Sequence, residues 1–380
     1  MNSRARGLLW LLLLAFIATT IFSVARFVRH RDFFDFVNYV RAGERAAAAE
    51  PLYRPEDGHY QFKYFPAFAI AAIPLTKIDL SVAITTWFAL SFGLLVAFIR
   101  RSVRALPDRH RGELALAWLT ALLLGRFFVK ELILGQDNVL FGLVLLFALT
   151  ALQVRRGAVA GALVAVAVFI KPYAVVLLPW VAVVGGAAAA VAAAAGVVAG
   201  FALPIVLYGW HGNLALLSGW YTTVTSTTPE NLLFVENVSL ATMWAKWLGP
   251  GTAASAFAVA TGVLLLGLVA WVWSKRDRVS EPDYLEFALL MLLIPLFSPQ
   301  GWDYVLLLGT PAVIMLLDRL PDVSWPWRLF IAFALVFVGF TFFDLVRRTI
   351  YYIILRGSLM SIAAMALAAG LAHLRARSLA

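Results

Sequence analysis

Apolar runs recur along this chain at lengths that match a bilayer, and mostly short polar connections separate them. A hydrocarbon core of ~30 Å takes about 20 helical residues. On that measure the pattern predicts about twelve spanning helices, near residues 7–27, 80–99, 112–129, 138–154, 157–171, 173–185, 187–208, 252–273, 284–297, 303–318, 326–345 and 356–374. The first run follows Arg4 and Arg6, is longer than a signal-peptide core and has no small-residue cleavage site after it, so it reads as a retained helix. Residues 67–76, bounded by Pro66 and Pro74, are too short to cross and read as an interfacial or re-entrant helix. The Ala, Gly and Val run 181–200 suits close helix packing, and Gly185 and Gly186 divide it into two helices.

One stretch breaks the pattern. Residues 29–66 are polar, aromatic and charged, and too long for an ordinary structureless connection. Phe33, Phe36, Val37 and Val40 recur at helical spacing, and Pro51, Pro55, Gly58 and Pro66 punctuate the rest of the stretch. This predicts a folded outer segment, 28–78, with interfacial helices; residues 209–250 form a second outer loop.

Composition sharpens the class. The 380 residues are 62% hydrophobic and only 14% charged, against roughly 25% in soluble domains, with a mean hydropathy of +0.87. The expected fold is therefore an all-α, polytopic integral membrane protein, a single membrane-embedded domain over 1–380. A net charge of +10 raises the question of nucleic acid. No polar segment of domain length is present to carry such binding, and Lys and Arg at helix ends instead anchor the chain to membrane lipids. Zero cysteines remove disulfides, thiolate metal sites and cysteine nucleophiles, and five scattered histidines lack metal-ligand spacing.

Five arginines and one aspartate in residues 100–111 mark that loop as cytoplasmic. With twelve crossings both termini share its side, although the 31 Lys and Arg divide almost evenly between the two faces. The polar outliers then converge on the outer face: Asp32, Asp35 and His59; Arg126, Lys130 and Glu131; Gly135-Gln136-Asp137-Asn138; Lys171-Pro172-Tyr173; Ser298-Pro299-Gln300-Gly301-Trp302-Asp303; and Asp344, Arg347 and Arg348. Ionisable residues at membrane depth cost roughly 2.5–3.5 kcal/mol each on insertion scales, which makes them functional candidates. A partly desolvated carboxylate can act as general base toward an alcohol. Nearby cations can clamp a phosphate leaving group, and Trp and Tyr suit sugar faces as well as the headgroup belt. Arg347 and Arg348 serve equally well as a helix anchor with Asp344 as partner, and Asp35 as a cap or a partner of Arg31. Lys171 interrupts an apolar stretch beside Pro172, where no solvated loop explains a charge.

The order of these pieces resembles glycosyltransferase family 87, membrane enzymes of the GT-C superfamily. Asp35-Phe36-Val37-Asn38-Tyr39 is similar to the family's Asp-Phe-x-x-Tyr segment. Leu52-Tyr53, Tyr64-Phe65-Pro66 and Pro74-Leu75 resemble its Pro-Tyr and Tyr-Pro-Pro…Pro-Leu segments. Gly135-Gln136-Asp137-Asn138 is similar to its Gly-Gln-x-Asn turn, Lys171-Pro172 to its Lys-Pro, Asn237-Val238-Ser239-Leu240 to its Asn-x-Ser, and Ser298-Pro299-Gln300-Gly301-Trp302 to its Ser-Pro-x-x-Trp. Ala67 stands where the family has a second proline, and Tyr304 where relatives often carry histidine.

The resemblance implies transfer of a monosaccharide, typically mannose, from a polyprenyl-phosphate-sugar donor to a lipid or glycan acceptor at the outer face. It places the general base on Asp35, with Asp32, one helical turn away, as its competitor. Asp32, Tyr39, His59, Tyr64, Arg126, Lys130, Gln136, Asn138, Lys171, Asn237, Trp302, Asp303, Arg347 and Arg348 are the expected substrate-binding residues. No cofactor or metal is needed where Arg and Lys neutralise the phosphate, although Asp32 and Asp35 leave a weak divalent site open. Two rival classes remain: a transporter or flippase, which often shows repeated halves not seen here, and a surface-polysaccharide polymerase or ligase.

Overall fold

A computed structural model describes residues 34–341 and 343–378; the predicted helix 7–27, Asp32 and the side chains of His59 and Asp344 lie outside what it describes. The regular structure is helical throughout the described residues, and a single isolated antiparallel β-bridge there joins Asn237 to Trp302.

The polar segment is folded. Helix α1 (Phe34–Ala47) buries Phe36, Tyr39 and Val40 on one side and Ala42 and Ala46 on another, positions three and four apart that form two apolar stripes. Helix α2 (Pro66–Ala72) crosses it at Gly43, where a Cβ would stand 2.8 Å from the Ala72 carbonyl oxygen. A 3-10 turn, Ile73–Lys77, comes next, so residues 67–76 form the short element their prolines predict. Between α1 and α2, Arg45 grips Asp57 with both guanidinium nitrogens at 2.5 and 2.8 Å. These bonds hold the Asp57 carboxyl below the usual carboxylate range. Tyr53 donates to the Tyr64 carbonyl at 2.7 Å, and Phe62, Tyr64 and Phe68 pack ring on ring.

The remaining helices form the bundle. Helix α3 (Leu80–Ala105) starts at Asp79, whose carboxylate accepts from Ser81 N at 2.9 Å. Helix α4 (Glu113–Leu134) ends on Gly135 in the left-handed conformation (φ 67°), and α5 (Asn138–Gln153) departs at 116° to it. Helix α6 (Gly157–Ile170) leads through a 3-10 segment, Pro172–Leu177, into α7 (Leu178–Ala202). The glycines show that α7 is two passes. A Cβ on Gly157 would collide with the Gly185 carbonyl, and one on Gly161 with the Ala189 carbonyl. A Cβ on Gly196 would stand 2.6 Å from the Ala165 methyl, and one on Gly200 would enter the Phe169 ring. These pairs climb both segments together, so residues 187–202 run parallel to α6. The chain therefore turns back at Gly186 (φ 70°), and the expected division at Gly185 and Gly186 falls at this reversal.

Helix α8 (Ile205–Leu232) breaks at Gly209 (φ 66°). Helix α9 (Leu240–Leu248) is capped by Ser239, whose hydroxyl accepts from Thr242 N at 3.1 Å, and α10 (Thr252–Ser274) lies beyond it. Helix α11 (Asp283–Phe297) is the bundle's centre, with residues 284–296 all buried. A 3-10 segment, Asp303–Gly309, opens into α12 (Thr310–Arg319); then come α13 (Trp325–Phe340), α14 (Phe343–Val346), α15 (Arg348–Arg356) and α16 (Leu359–Arg377). At the start of α11 the buried Glu286 meets Arg276 at 2.8 Å, Trp180 at 3.0 Å and Arg375 at 3.6 Å. Its far end, about 20 Å away at 1.5 Å per residue, delivers Gln300 and Trp302 to a second polar region.

Among the described residues five helices are long and apolar enough to cross a membrane, or six if the bent α4–α5 pair counts as a single broken span. That is fewer than the hydropathy pattern marks, for three physical reasons. The first segment lies outside the described residues. Gly157–Ile170 and Trp325–Phe340 are apolar but short, and the stretch 172–202 holds two of the predicted segments. The predicted helix 326–345 ends at Phe340, before Arg347 and Arg348.

Candidate active site

Four pieces of backbone converge at the end of the bundle marked by Trp302. The first is the opening turn of α1, carrying Asp35. The second is the α4–α5 turn, where the left-handed Gly135 lets the chain double back and present Gln136. The third is the break after α6, where Pro172 interrupts the apolar helix and leaves Lys171 extended (φ −144°, ψ 130°). The fourth is the loop before α9, pinned to the 298–303 segment by Val238 N to Gly301 O at 2.7 Å and Asp303 N to Glu236 O at 2.9 Å. Gly301 is required there, because a Cβ would collide with the Pro295 carbonyl. Asn237 completes the pin through its side-chain nitrogen, which donates to Asn231 O at 3.1 Å and Pro299 O at 3.0 Å.

The convergence encloses a cavity of about 300 Å³. A larger one, about 620 Å³, lies at the other end of α11 and is lined by Arg278, Arg319 and Arg377 with Asp108 and Asp322. No predicted site residue reaches it, and Arg319 is already engaged by Asp322 and two carbonyls. The smaller cavity is therefore the candidate site. Its wall includes Asp35, Tyr39, Tyr64, Lys130, Gln136, Lys171 and Trp302, seven of the expected residues drawn from stretches far apart in sequence.

Asp35 accepts a 2.7 Å hydrogen bond from Gln136 Nε2. Burial pushes its carboxyl above the usual range, and the Asp137 charge adds to this; the Gln136 bond, Lys171 and Lys63 pull the other way. Lys171 is 7% exposed and its ammonium is surrounded: Asp137 Oδ1 at 2.9 Å, Gln136 Oε1 at 3.1 Å and Tyr64 OH at 3.4 Å. Tyr64 also shares a 2.8 Å hydroxyl contact with Tyr39. Behind this layer Glu131, fully buried, accepts from Asn138 Nδ2 at 2.7 Å and Val139 N at 3.0 Å.

On the opposite wall Lys130 bridges Glu236 at 2.6 Å and Asp303 at 3.0 Å. Arg126 holds the other oxygen of the fully buried Asp303 and the Thr341 carbonyl. Arg126, Asn138, Asn237 and Asp303 thus support the wall from behind. Arg347 and Arg348 are exposed at the start of α15, outside the cavity, with no ion-pair partner among the described residues; Arg348 lies over the Tyr352 ring.

Several cavity residues are absent from the expected set, the charged Lys63 and Glu236 and the amide of Asn38 among them. Lys63 lines the cavity with no hydrogen-bond partner for its ammonium among the described residues, and burial pushes that ammonium below the usual range. Glu236 faces it from the loop, and Asn38 from α1. The signal was adjacency: Lys63 directly precedes Tyr64-Phe65-Pro66 and Glu236 directly precedes Asn237-Val238-Ser239. Lys246 stabilises the Glu236 loop by donating to the carbonyls of Val235, Asn237 and Leu355 at 2.9, 3.1 and 3.0 Å, and burial lowers it to about 8.

An all-helical bundle with several membrane-length apolar helices and a charged cavity at one end defines a membrane protein with a polar site. The chain belongs to glycosyltransferase family 87, whose family model matches residues 62–299, more than half its length. It is therefore a membrane glycosyltransferase. The match contains Tyr64, Gln136, Lys171 and Asn237, while Asp35 and Trp302 lie outside it and are tied to it by the Gln136 bond and the Asn237 bridge. Comparisons with curated proteins and with solved structures give no match.

Proposed function

We propose that the protein transfers a monosaccharide, mannose or another hexose, from a polyprenyl-phosphate-sugar donor to a lipid or glycan acceptor at the outer membrane face, with inversion. Asp35 takes the proton of the acceptor hydroxyl as that oxygen attacks the anomeric carbon. The bond from that carbon to the phosphate oxygen breaks, and the lipid phosphate leaves with the electron pair. Lys63 and Lys130 face the leaving phosphate, since the Lys63 ammonium has no hydrogen-bond partner among the described residues and Lys130 keeps one N–H beyond its two carboxylate bonds. Arg347 and Arg348 supply charge for donor or lipid headgroups at the rim, and Arg126 keeps Lys130 and Asp303 in place. Trp302 and Tyr64 offer aromatic groups for the sugar, and the buried Tyr39 holds Tyr64 in place through their hydroxyl contact. Asp32 and the His59 side chain, which lie outside what the structure describes, complete the proposed substrate-binding set.

The observation that carries this reading is the Asp35 carboxylate in a cavity shared with three lysines, its affinity for protons raised by burial. The outer location rests on twelve crossings that put residues 100–111 on the cytoplasmic side. The reversal at Gly186, which makes residues 172–202 two passes, is consistent with that count.

The test is a labelled polyprenyl-phosphate sugar incubated with purified protein and acceptor lipids. Label in a new glycosidic product supports the enzyme. Label carried across a vesicle membrane with no new bond supports the flippase, and transfer of whole glycans supports the polymerase.

A further inference from the structure

Gln136 is an amide, and its two ends are read by different partners. Its Oε1 lies 3.1 Å from Lys171 Nζ and 3.4 Å from Asn138 Nδ2, both donors. A lysine ammonium has no acceptor, so the oxygen must face it. The NH₂ end is thereby forced toward Asp35 Oδ2, 2.7 Å away, where a carboxylate needs a donor. Lys171 is itself fixed, because its three N–H groups meet Asp137, Gln136 and Tyr64.

We infer that Lys171 and Gln136 are positioning residues that set the base: Lys171 locks the Gln136 amide so that it occupies one oxygen of Asp35 and leaves the other for the acceptor hydroxyl. This rests on Asp35 being the general base, and it assigns Lys171 a task other than direct contact with the donor phosphate. Among the described residues the groups facing Asp35 are few. Lys171 lies beyond Gln136 at the end of α6 and Asp137 in the α4–α5 turn. Lys63 and Tyr64 come from the segment before α2, Tyr39 from α1 itself, and Tyr304 from the 3-10 segment after Trp302. Of these only Gln136 bonds the carboxylate directly. Its removal should therefore show in the protonation of Asp35 rather than in donor binding.

The experiment is the pH profile of kcat/KM for sugar transfer by the full-length protein in nanodiscs, with donor binding measured separately. Gln136→Leu should move the acid limb upward by about one pH unit, so that kcat/KM falls about tenfold at pH values on that limb, with donor Kd within about twofold of wild type. Lys171→Met isolates a buried Asp137, so the paired variant Lys171→Met/Asp137→Asn keeps the site neutral and folded. It should show the same upward shift, and adding Gln136→Leu to it should cost little more, as expected when two residues act through one contact. Gln136→Asn should restore part of the profile.

An unshifted acid limb in Gln136→Leu overturns the inference. So does a tenfold loss of donor affinity in Lys171→Met/Asp137→Asn with an unchanged limb, which would put Lys171 on the phosphate. Asp35→Asn serves as the control. Full activity there removes the general-base reading itself, whereas a dead Asp35→Asn beside an unshifted Gln136→Leu removes only the positioning role.

Discussion

Asp303 is the clearest place to test how the cavity wall is held. Its carboxylate is fully buried, takes Lys130 on one oxygen at 3.0 Å and Arg126 on the other, and its backbone N–H reaches Glu236 O at 2.9 Å. Asp303→Asn keeps the shape and removes the charge. Arg126, only 10% exposed, then has the Thr341 carbonyl but no anion, while Lys130 retains Glu236. Breaking one side of a buried pair costs about 3–5 kcal/mol. The partial exposure of Lys130, at 29%, places this case at the lower end, about 3 kcal/mol. The assay is thermal unfolding of detergent-purified protein at a fixed scan rate, where a loss of roughly 5 °C is expected. The double variant Arg126→Met/Asp303→Asn removes both charges and should recover at least half of that loss. If Asp303→Asn melts within a degree of wild type, or the double variant is the less stable, the wall is not held by this pair.

The remaining predictions each rest on a local feature. Gly161→Val drives a side chain into the Ala189 carbonyl, which cannot yield as a side chain can, so folded yield should collapse; a normal gel-filtration profile contradicts the α6–α7 packing. Lys63→Met should weaken binding of a polyprenyl-phosphate sugar about tenfold or more while leaving thermal stability unchanged, because its ammonium has no hydrogen-bond partner among the described residues; unchanged binding removes it from the phosphate site. The chain has no cysteine, so single cysteines at Gly58 and Gly212 should label from outside intact cells and one at Leu106 should not, and the reverse pattern inverts the topology.

Much of the fold was legible because hydropathy reports which segments leave water, whether for the bundle interior or for lipid. The apolar segments, the short element bounded by Pro66 and Pro74 and the reversal at Gly186 all reflect local composition. The order of motifs likewise carried the family. What the sequence could not show was which side of a wall a charge occupies. Arg126 and Asp303 are 177 residues apart, and only the folded chain shows them paired behind the cavity rather than facing it. Lys171 stood out in the sequence because it interrupts an apolar run, yet its partner Asp137 sits in a turn whose direction depends on a left-handed Gly135. Lys63 was overlooked because a lysine in a polar segment carries no signal until its neighbours are known to be apolar and its ammonium to lack a partner.

The central claim is that Asp35 is the base of a sugar transfer, and the most direct measurement is the turnover of Asp35→Asn beside Asp32→Asn with a labelled polyprenyl-phosphate sugar. Because burial raises the Asp35 carboxyl, wild-type rate should fall as pH drops through a value above the usual carboxylate range, where the base becomes protonated. Asp35→Asn should lose about 10²–10⁴-fold in turnover with donor binding largely kept, and Asp32→Asn much less. An active Asp35→Asn beside a dead Asp32→Asn moves the base to Asp32, and full activity in both contradicts general-base catalysis at this cavity.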